Sequence, residues 1–284
     1  MTMSGKLITL IAATLLSVTA AAQEDSLRAT RLVTRSLMVG GGYSNVLETY
    51  LTPLEYTGGG VRVVLENMRN TRWMHGKLRA QHLFQINYSY THNTSGNAHI
   101  HYGLASYSYS LFREFALSPG LKLLAGPTAD VNAGVVYNLR NSNNPAQAKA
   151  YGRLGATGML IYRFRVKGRP FAARYQASLP LLGVAFSPEY GESYYEIFSL
   201  GNGSGTVLFT SLHNNPSLRQ MLTLDFPLGK AIVRFGYICD IQQSKLNSLK
   251  SHAYSHDFML GYVRNIYIMN SRCHFRADTK HIPF

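Results

Sequence analysis

The chain has 284 residues, is 46% hydrophobic and 15% charged, and carries 19 tyrosines and 13 phenylalanines beside a single tryptophan, Trp73. That composition excludes a disordered tail and suits a chain that buries a sizeable core or faces a bilayer. Lys and Arg outnumber Asp and Glu by 28 to 14, a formal +14 that implies attraction to anionic surfaces or ligands, while two cysteines, Cys239 and Cys273, are too few for a disulfide scaffold and show no zinc spacing.

At the N-terminus, Lys6 precedes an apolar run from Leu7 to Val18, then the small residues Ala20-Ala21-Ala22 and the polar Gln23-Glu24-Asp25. This is the pattern of a secretory signal peptide over residues 1–22, with the mature chain starting at Gln23 and export by the general secretory pathway. Its apolar core of about twelve residues falls short of the ~20 that a spanning helix needs. No later stretch approaches about 18 consecutive apolar residues, which leaves a soluble exported protein or a transmembrane β-barrel.

From there the pattern has a period of two. Phe84, Ile86, Tyr88 and Tyr90 alternate with Gln85, Asn87, Ser89 and Thr91; Leu154, Ala156, Gly158, Leu160, Tyr162, Phe164 and Val166 oppose Arg153, Thr157, Arg163 and Arg165. Val233, Phe235, Tyr237, Cys239 and Ile241 oppose Arg234, Gly236, Asp240 and Gln242 in the same way. Such alternation puts the apolar groups on one face of an extended strand, and helical spacing is nowhere sustained. The chain therefore reads as all-β, with strands predicted at 34–43, 56–69, 77–92, 98–112, 120–138, 149–166, 170–183, 206–226, 230–243 and 251–268. These are longer than the five or six residues usual in soluble sheets, as a tilted membrane barrel requires.

Turn chemistry predicts three registers. A loop at Asn93 to Asn97 pairs Tyr90 with Ile100, Tyr88 with Tyr102 and Ile86 with Leu104, and sets Ser89 and Thr91 against His101 and His99. A turn at Leu228-Gly229 sets Leu224 against Val233 and Thr223 against Arg234; one at Gly168-Arg169 sets Phe164 against Ala173 and Arg163 against Arg174. The expected fold is a single transmembrane antiparallel up-and-down β-barrel of about ten strands. Its connections at 70–76, 113–119, 167–169 and 227–229 fall on the periplasmic side, and those at 44–55, 93–97, 139–148, 184–205 and 244–250 fall outside. A break at His213 to Ser217, around Pro216, gives about twelve strands as the alternative. The barrel domain spans 23–269, and 270–284, which loses alternation, reads as a C-terminal tail ending on Phe284.

Three segments, Leu51-Thr52-Pro53-Leu54-Glu55-Tyr56-Thr57-Gly58, Ser211-Leu212-His213-Asn214 and Leu222-Thr223-Leu224-Asp225-Phe226-Pro227-Leu228-Gly229, carry a likeness to known proteins. On them the chain, roughly from residue 30 to 268, resembles a family of small Gram-negative outer-membrane β-barrels of undetermined function. The resemblance implies an exported barrel and brings no substrate or catalytic residue.

Candidate chemistry is sparse. Arg153, Arg163, Arg165 and Arg174 share the face opposite the apolar stripe, so they are expected in the lumen. Like charges facing each other require something negative between them: either a bound or filtered anion, or lumen carboxylates such as Glu66, Asp130, Asp225, Asp240 or Asp257. Ser211 and His213, two apart on one strand, have the spacing by which a His activates a Ser hydroxyl. Here the chain is similar to outer-membrane phospholipases, though with the two residues in reversed order; turn chemistry at Asn214-Asn215-Pro216 is the competing account. His99 and His101, with His92 near the loop, stand without a carboxylate or cysteine at ligand spacing, so they are read as lumen hydrogen-bonding groups, with no metal or other cofactor expected. Gly40-Gly41-Gly42, Gly58-Gly59-Gly60 and the glycines of 201–205 precede no helix and read as bends, bulges and loops. The 184–205 segment, with Phe186, Tyr190, Tyr194, Tyr195 and Phe198 among Glu189, Glu192 and Glu196, either meets sugars or a partner or folds over its own barrel mouth.

The functional expectation is a structural outer-membrane barrel or a narrow pore or binding protein for a small anionic solute, in contact with outer-membrane lipid or lipopolysaccharide and not with nucleic acid. The alternatives are a membrane-embedded lipid hydrolase using Ser211 and His213, and a soluble lipocalin-like carrier whose aromatic stripes line a core.

Overall fold

A computed structural model describes residues 31–71, 78–138, 140–141, 144–229 and 231–268. The predicted signal peptide, Trp73, Cys273 and the 270–284 tail lie outside the described residues. The strands are β1 (Arg31–Glu48), β2 (Thr52–Asn70), β3 (Leu78–His92), β4 (His99–Ser118), β5 (Leu121–Asn138), β6 (Ala146–Val166), β7 (Arg169–Phe186), β8 (Val207–Ser211), β9 (Ser217–Leu228), β10 (Ala231–Leu246) and β11 (Leu249–Ile268). A five-residue helix, α1 (Tyr194–Phe198), sits between β7 and β8.

Neighbouring strands follow the order β6-β5-β4-β3-β2-β1-β11-β10-β9-β7, and β6 pairs with β7, so a ten-strand antiparallel barrel closes. Short β8 is the extra strand. It runs along Leu182–Phe186 of β7 while β9 runs along Ala172–Ser178 of the same strand, both antiparallel to it. The break around Pro216 therefore interrupts one strand without reversing the chain, and the twelve-strand alternative falls. Across the break β10 stays paired, because the Asn214 and Pro216 carbonyls accept from the Lys245 and Gln243 amides.

The alternation resolves into an outside and an inside. Val61, Leu65, Ile86, Tyr88, Leu154, Tyr162, Leu222, Phe235, Phe258 and Leu260 are exposed, whereas Arg62, Arg174 and Arg234 are at most 2% exposed. This is the reverse of a soluble protein, where large apolar side chains are buried and charged ones are not. A lipocalin-like carrier would need the aromatic stripes inside, and they are outside.

The registers differ from those predicted, each for a local reason. In the β3–β4 hairpin the loop is one residue longer: Asn93 Oδ1 accepts from the amides of Asn97 and Ala98, and the Asn93 amide donates to the Ala98 carbonyl. Tyr90 then faces His101 and Thr91 faces Ile100. A one-residue slip turns a whole strand over, so Ile100, Tyr102 and Leu104 point inward and His99 and His101 point outward, the opposite of the expectation for all five. His101 Nδ1 there shares a hydrogen bond of 2.7 Å with Tyr88 Oη, and the His99 ring stacks on Tyr90.

At the β6–β7 turn both Lys167 and Gly168 have positive φ, 48° and 77°, the signature of a two-residue type I′ turn. Val166 therefore meets Arg169, Arg163 meets Ala172, and Arg174 meets Ile161 rather than Arg163. The β9–β10 register shifts by two as well, which keeps the faces but sets Arg234 opposite Asp225 instead of Thr223.

Two external connections predicted to be long, 44–55 and 244–250, are mostly strand. β1 and β2 run through most of 44–55, leaving a turn near Thr49-Tyr50-Leu51, and β10 and β11 meet in a tight turn at Asn247-Ser248. The glycine triplets lie inside β1 and β2, where Gly42 pairs with Gly60. Glycine is needed at Gly40, where a Cβ would come within 1.9 Å of the Phe258 carbonyl oxygen.

Candidate functional site: the filled lumen

Inward-facing positions of the strands build alternating apolar and charged layers. Nearest the short turns, Met68, Phe112, Leu124, Met159 and Ile161 form an apolar floor. Above it Glu66 from β2 takes Arg174 Nη1 on Oε1 at 2.7 Å and Arg174 Nη2 on Oε2 at 3.0 Å. The same carboxylate accepts from Arg234 Nη1 at 2.5 Å, from Gln81 at 2.5 Å and from the Ser36 hydroxyl at 3.2 Å. Arg234 also forks onto Asp225, with Nε to Oδ1 at 2.6 Å and Nη2 to Oδ2 at 2.7 Å. Such bidentate, charge-assisted bonds are the strong class of hydrogen bond. Gln81 and Gln176 exchange amide bonds beside them at 3.0 and 2.9 Å.

Met38, Val64, Leu83, Met221, Ile238 and Met259 form the next apolar layer. Over it lies a second charged tier. Arg62 donates to Asp257 at 2.8 Å, Asp240 at 3.3 Å and Ser255 at 2.6 Å; Arg219 donates to Asp240 at 3.1 Å; Arg153 donates to Asp130 at 2.8 Å. Lys149 pairs with Glu48 near the wide-loop end and donates to Ser251 at 2.8 Å. A cap of Val46, Tyr56, Ile100, Tyr102, Leu104, Val136 and Leu249 closes this end. Among the described residues, cavities between these groups have volumes of only about 10, 10 and 20 Å³, room for about one water each.

The inward cations Arg62, Lys149, Arg153, Arg174, Arg234 and the partly buried Arg219 stand against Glu48, Glu66, Asp130, Asp225, Asp240 and Asp257, so these ion-paired tiers are electrically neutral. The chain's surplus of positive charge lies elsewhere.

The four arginines singled out from the sequence are not brought together. Arg153 and Arg174 lie in different tiers, each on its own carboxylate, while Arg163 and Arg165 are exposed at the short-turn rim. Sequence reasoning missed Arg62 and Arg219 as members of the plug. Their signal is parity: each is a charged residue on the inward set of its strand, as Arg62 is between the outward Val61 and Val63.

Over the wide-loop end, α1 is fixed by a capping box between Ser193 and Glu196, in which the two residues satisfy each other's backbone amides. Glu196 is held below its ordinary 4.5 by those bonds from Ser193. Tyr194 Oη accepts from the Ala148 amide at 2.6 Å and donates to Gln147 at 3.0 Å, and Tyr50 Oη donates to the Glu192 carbonyl at 2.7 Å. The aromatic loop thus folds over its own mouth.

Ser211 and His213 do meet. Ser211 Oγ shares a hydrogen bond with His213 Nδ1 on the exposed outer face, where Ser211 lies beside Leu182. The same hydroxyl accepts from the His213 amide at 3.5 Å, and Asn214 Oδ1 accepts from the Ser211 amide at 2.8 Å. These local bonds are turn chemistry. Asn214 turns its side chain to the backbone of Ser211 and Phe209 and does not orient the imidazole.

An apolar exterior around a neutral, ion-paired interior defines the class: a closed antiparallel β-barrel of membrane type. The chain belongs to the family described as protein of unknown function (DUF3316), whose model matches residues 7–273. Among curated proteins none matches. Similar solved structures include Neisserial surface protein A of Neisseria, at 10% identity and TM-score 0.31 over 82% of this chain and 95% of that one. The outer membrane protease OmpT of Escherichia coli matches at 6% identity and TM-score 0.41 over 84% and 97%. The translocator domain of autotransporter NalP from Neisseria meningitidis matches at 11% and 0.37 over 89% and 96%.

Proposed function

We propose that this protein is a non-conducting outer-membrane barrel whose interior is a structural plug. The observation that carries the reading is Arg234, which at 0% exposure bridges Glu66 and Asp225 between two apolar layers. A solute path would have to break buried ion pairs, and removing one partner of such a pair costs about 3–5 kcal/mol. Of the arginines expected to attract an anion, Arg153 and Arg174 already hold carboxylates inside and Arg163 and Arg165 stand exposed at the rim, which favours the structural role over the pore. The exposed Val, Leu, Ile and aromatic side chains around the strands support insertion in a bilayer. The test is heat-dependent gel mobility of the membrane-extracted protein, followed by planar-bilayer recording. Faster migration unheated with no conductance is expected; anion-selective current steps would overturn the plug.

A second reading, lipid hydrolysis at the outer face, has the Ser211–His213 hydrogen bond in its favour. No carboxylate or amide side chain holds His213 among the described residues, so catalysis would rest on the pair alone. Ester hydrolysis by the wild type that vanishes in Ser211→Ala supports it, and a wild type without activity removes it.

A further inference from the structure

Like charges stand directly opposite each other at Lys245 and Lys250, beside the β10–β11 turn, and at a second place, down the wall of the barrel, where an apolar groove adjoins them. Arg35 of β1 and Arg264 of β11 are Cα partners, both exposed and both on the outward set of their strands. Neither has an ion pair or hydrogen bond to any other described residue. Facing like charges are destabilising unless an anion lies between them, and their strands meet only because the barrel closes there.

The surroundings are those of a lipid site. On its other side Arg35 faces Asn67, whose side-chain amide oxygen is buried without a partner. A groove of about 410 Å³ opens here on the outer face, and Leu65, Phe84, Tyr107 and Tyr262 line it. Glu66 contributes only from behind, since both of its carboxylate oxygens are taken inside by Arg174 and Arg234. From Arg35 to Tyr43 strand β1 rises about 20 Å along the barrel axis at ~3.3 Å per residue and ~40° tilt. Leu37, Val39 and Gly41 face outward in between. The arginine pair thus marks one edge of the apolar band, at headgroup depth, on the side of the short turns, which barrels of this kind keep in the periplasm.

We propose that this groove is a binding site for one anionic phospholipid of the periplasmic leaflet. Its phosphate bridges Arg35 and Arg264, a headgroup hydroxyl donates to the orphan oxygen of Asn67, and an acyl chain lies along Leu65, Phe84 and Tyr107. The lipid supplies the missing negative charge at the seam between the first and last strands. This rests on the membrane-spanning reading above.

The test is native mass spectrometry of the delipidated, folded full chain titrated with phosphatidylglycerol, with phosphatidylcholine of the same acyl chains, and with inorganic phosphate. One phosphatidylglycerol per chain is expected where phosphatidylcholine leaves none. Replacing both cations, Arg35→Gln with Arg264→Gln, weakens retention by about thirty-fold. Leu65→Trp, which fills the groove and spares both arginines, is expected to lose the lipid as well. Equal retention of the two lipids, or unchanged retention in the double variant, would sink the site; displacement by inorganic phosphate alone would replace the lipid with a soluble anion. The two readings fail separately: a soluble protein without a heat shift refutes membrane insertion and this site together, whereas an inserted, heat-shifting barrel that ignores phosphatidylglycerol refutes this site only.

Discussion

Arg234 lies directly opposite Asp225 in the β9–β10 hairpin and reaches past it to Glu66 of β2, 168 residues away in sequence. One side chain thereby ties a local turn to the far wall of the barrel. Glu66 in turn carries Arg174, so the carboxylate is the point on which two buried guanidinium groups depend.

Glu66→Gln should therefore cost about 3–5 kcal/mol, the range for stranding a buried charge. Glu55→Gln, exposed and hydrogen-bonded among the described residues only to Asn45 at 3.3 Å, should stay within about 0.5 kcal/mol. Urea unfolding of the two variants in the same detergent compares them directly; equal midpoints would mean that the central network adds nothing to stability.

The seam between β1 and β11 tolerates no side chain at Gly40, because a Cβ there would meet the Phe258 carbonyl oxygen at 1.9 Å. Gly40→Ala should destabilise the barrel by about 3 kcal/mol, the upper end of overpacking costs. At Gly59 the nearest atom to such a Cβ is 3.9 Å away, so Gly59→Ala should be close to neutral. The fraction of heat-shifting protein after refolding separates the two.

Asn93 closes the β3–β4 hairpin by accepting from two backbone amides. In Asn93→Ala those donors lose their partner, at about 1–3 kcal/mol if they stay shielded from water. Proteolysis at this loop should become faster while the rest of the barrel resists, and an unchanged cleavage rate would show the cap to be dispensable.

Closure of the aromatic loop over the mouth has a pH window with two edges. The lowered Glu196 favours the charged form in the folded loop, so its contribution is present above 4.5 and is lost as the pH falls through the lower folded value. Burial pushes the Tyr50 phenol from its ordinary 10.0 up to about 12, with Tyr194 and Glu192 adding to the shift. Its contribution is present below 10.0 and is lost as the pH rises through about 12. Hydrogen exchange of the Tyr194–Phe198 amides should be slowest between these edges, after correction for the intrinsic rate. A flat profile would show that neither group holds the loop.

Alternation alone reads which side chains of β6 and β10 face out, because there one parity is apolar and the other carries Arg and Asp. It fails on β4, where both parities are apolar and aromatic: Ile100, Tyr102 and Leu104 on one, Tyr107 and Tyr109 on the other. Because the apolar parity near the loop becomes the serine parity at Ser106, Ser108 and Ser110, alternation gives no consistent face, and the extra residue in the 93–98 loop, held by the Asn93 side chain, goes with the observed orientation. The expected opposition of two arginines exists in this barrel, but as Arg35 against Arg264 and not as Arg163 against Arg174.

The sequence by itself determined the all-β class, the long strands and the presence of buried charge among inward positions, since period-two alternation is a property of each strand alone. Tertiary structure decided which arginine met which carboxylate, that the lumen was filled and neutral, and that the first and last strands set two cations side by side. Some of those pairings are local, as in Arg234 with Asp225, but others join residues more than a hundred positions apart, as in Arg174 with Glu66 or Arg62 with Asp257. Only closure of the barrel, with the register set by its turns, brings them within hydrogen-bonding distance.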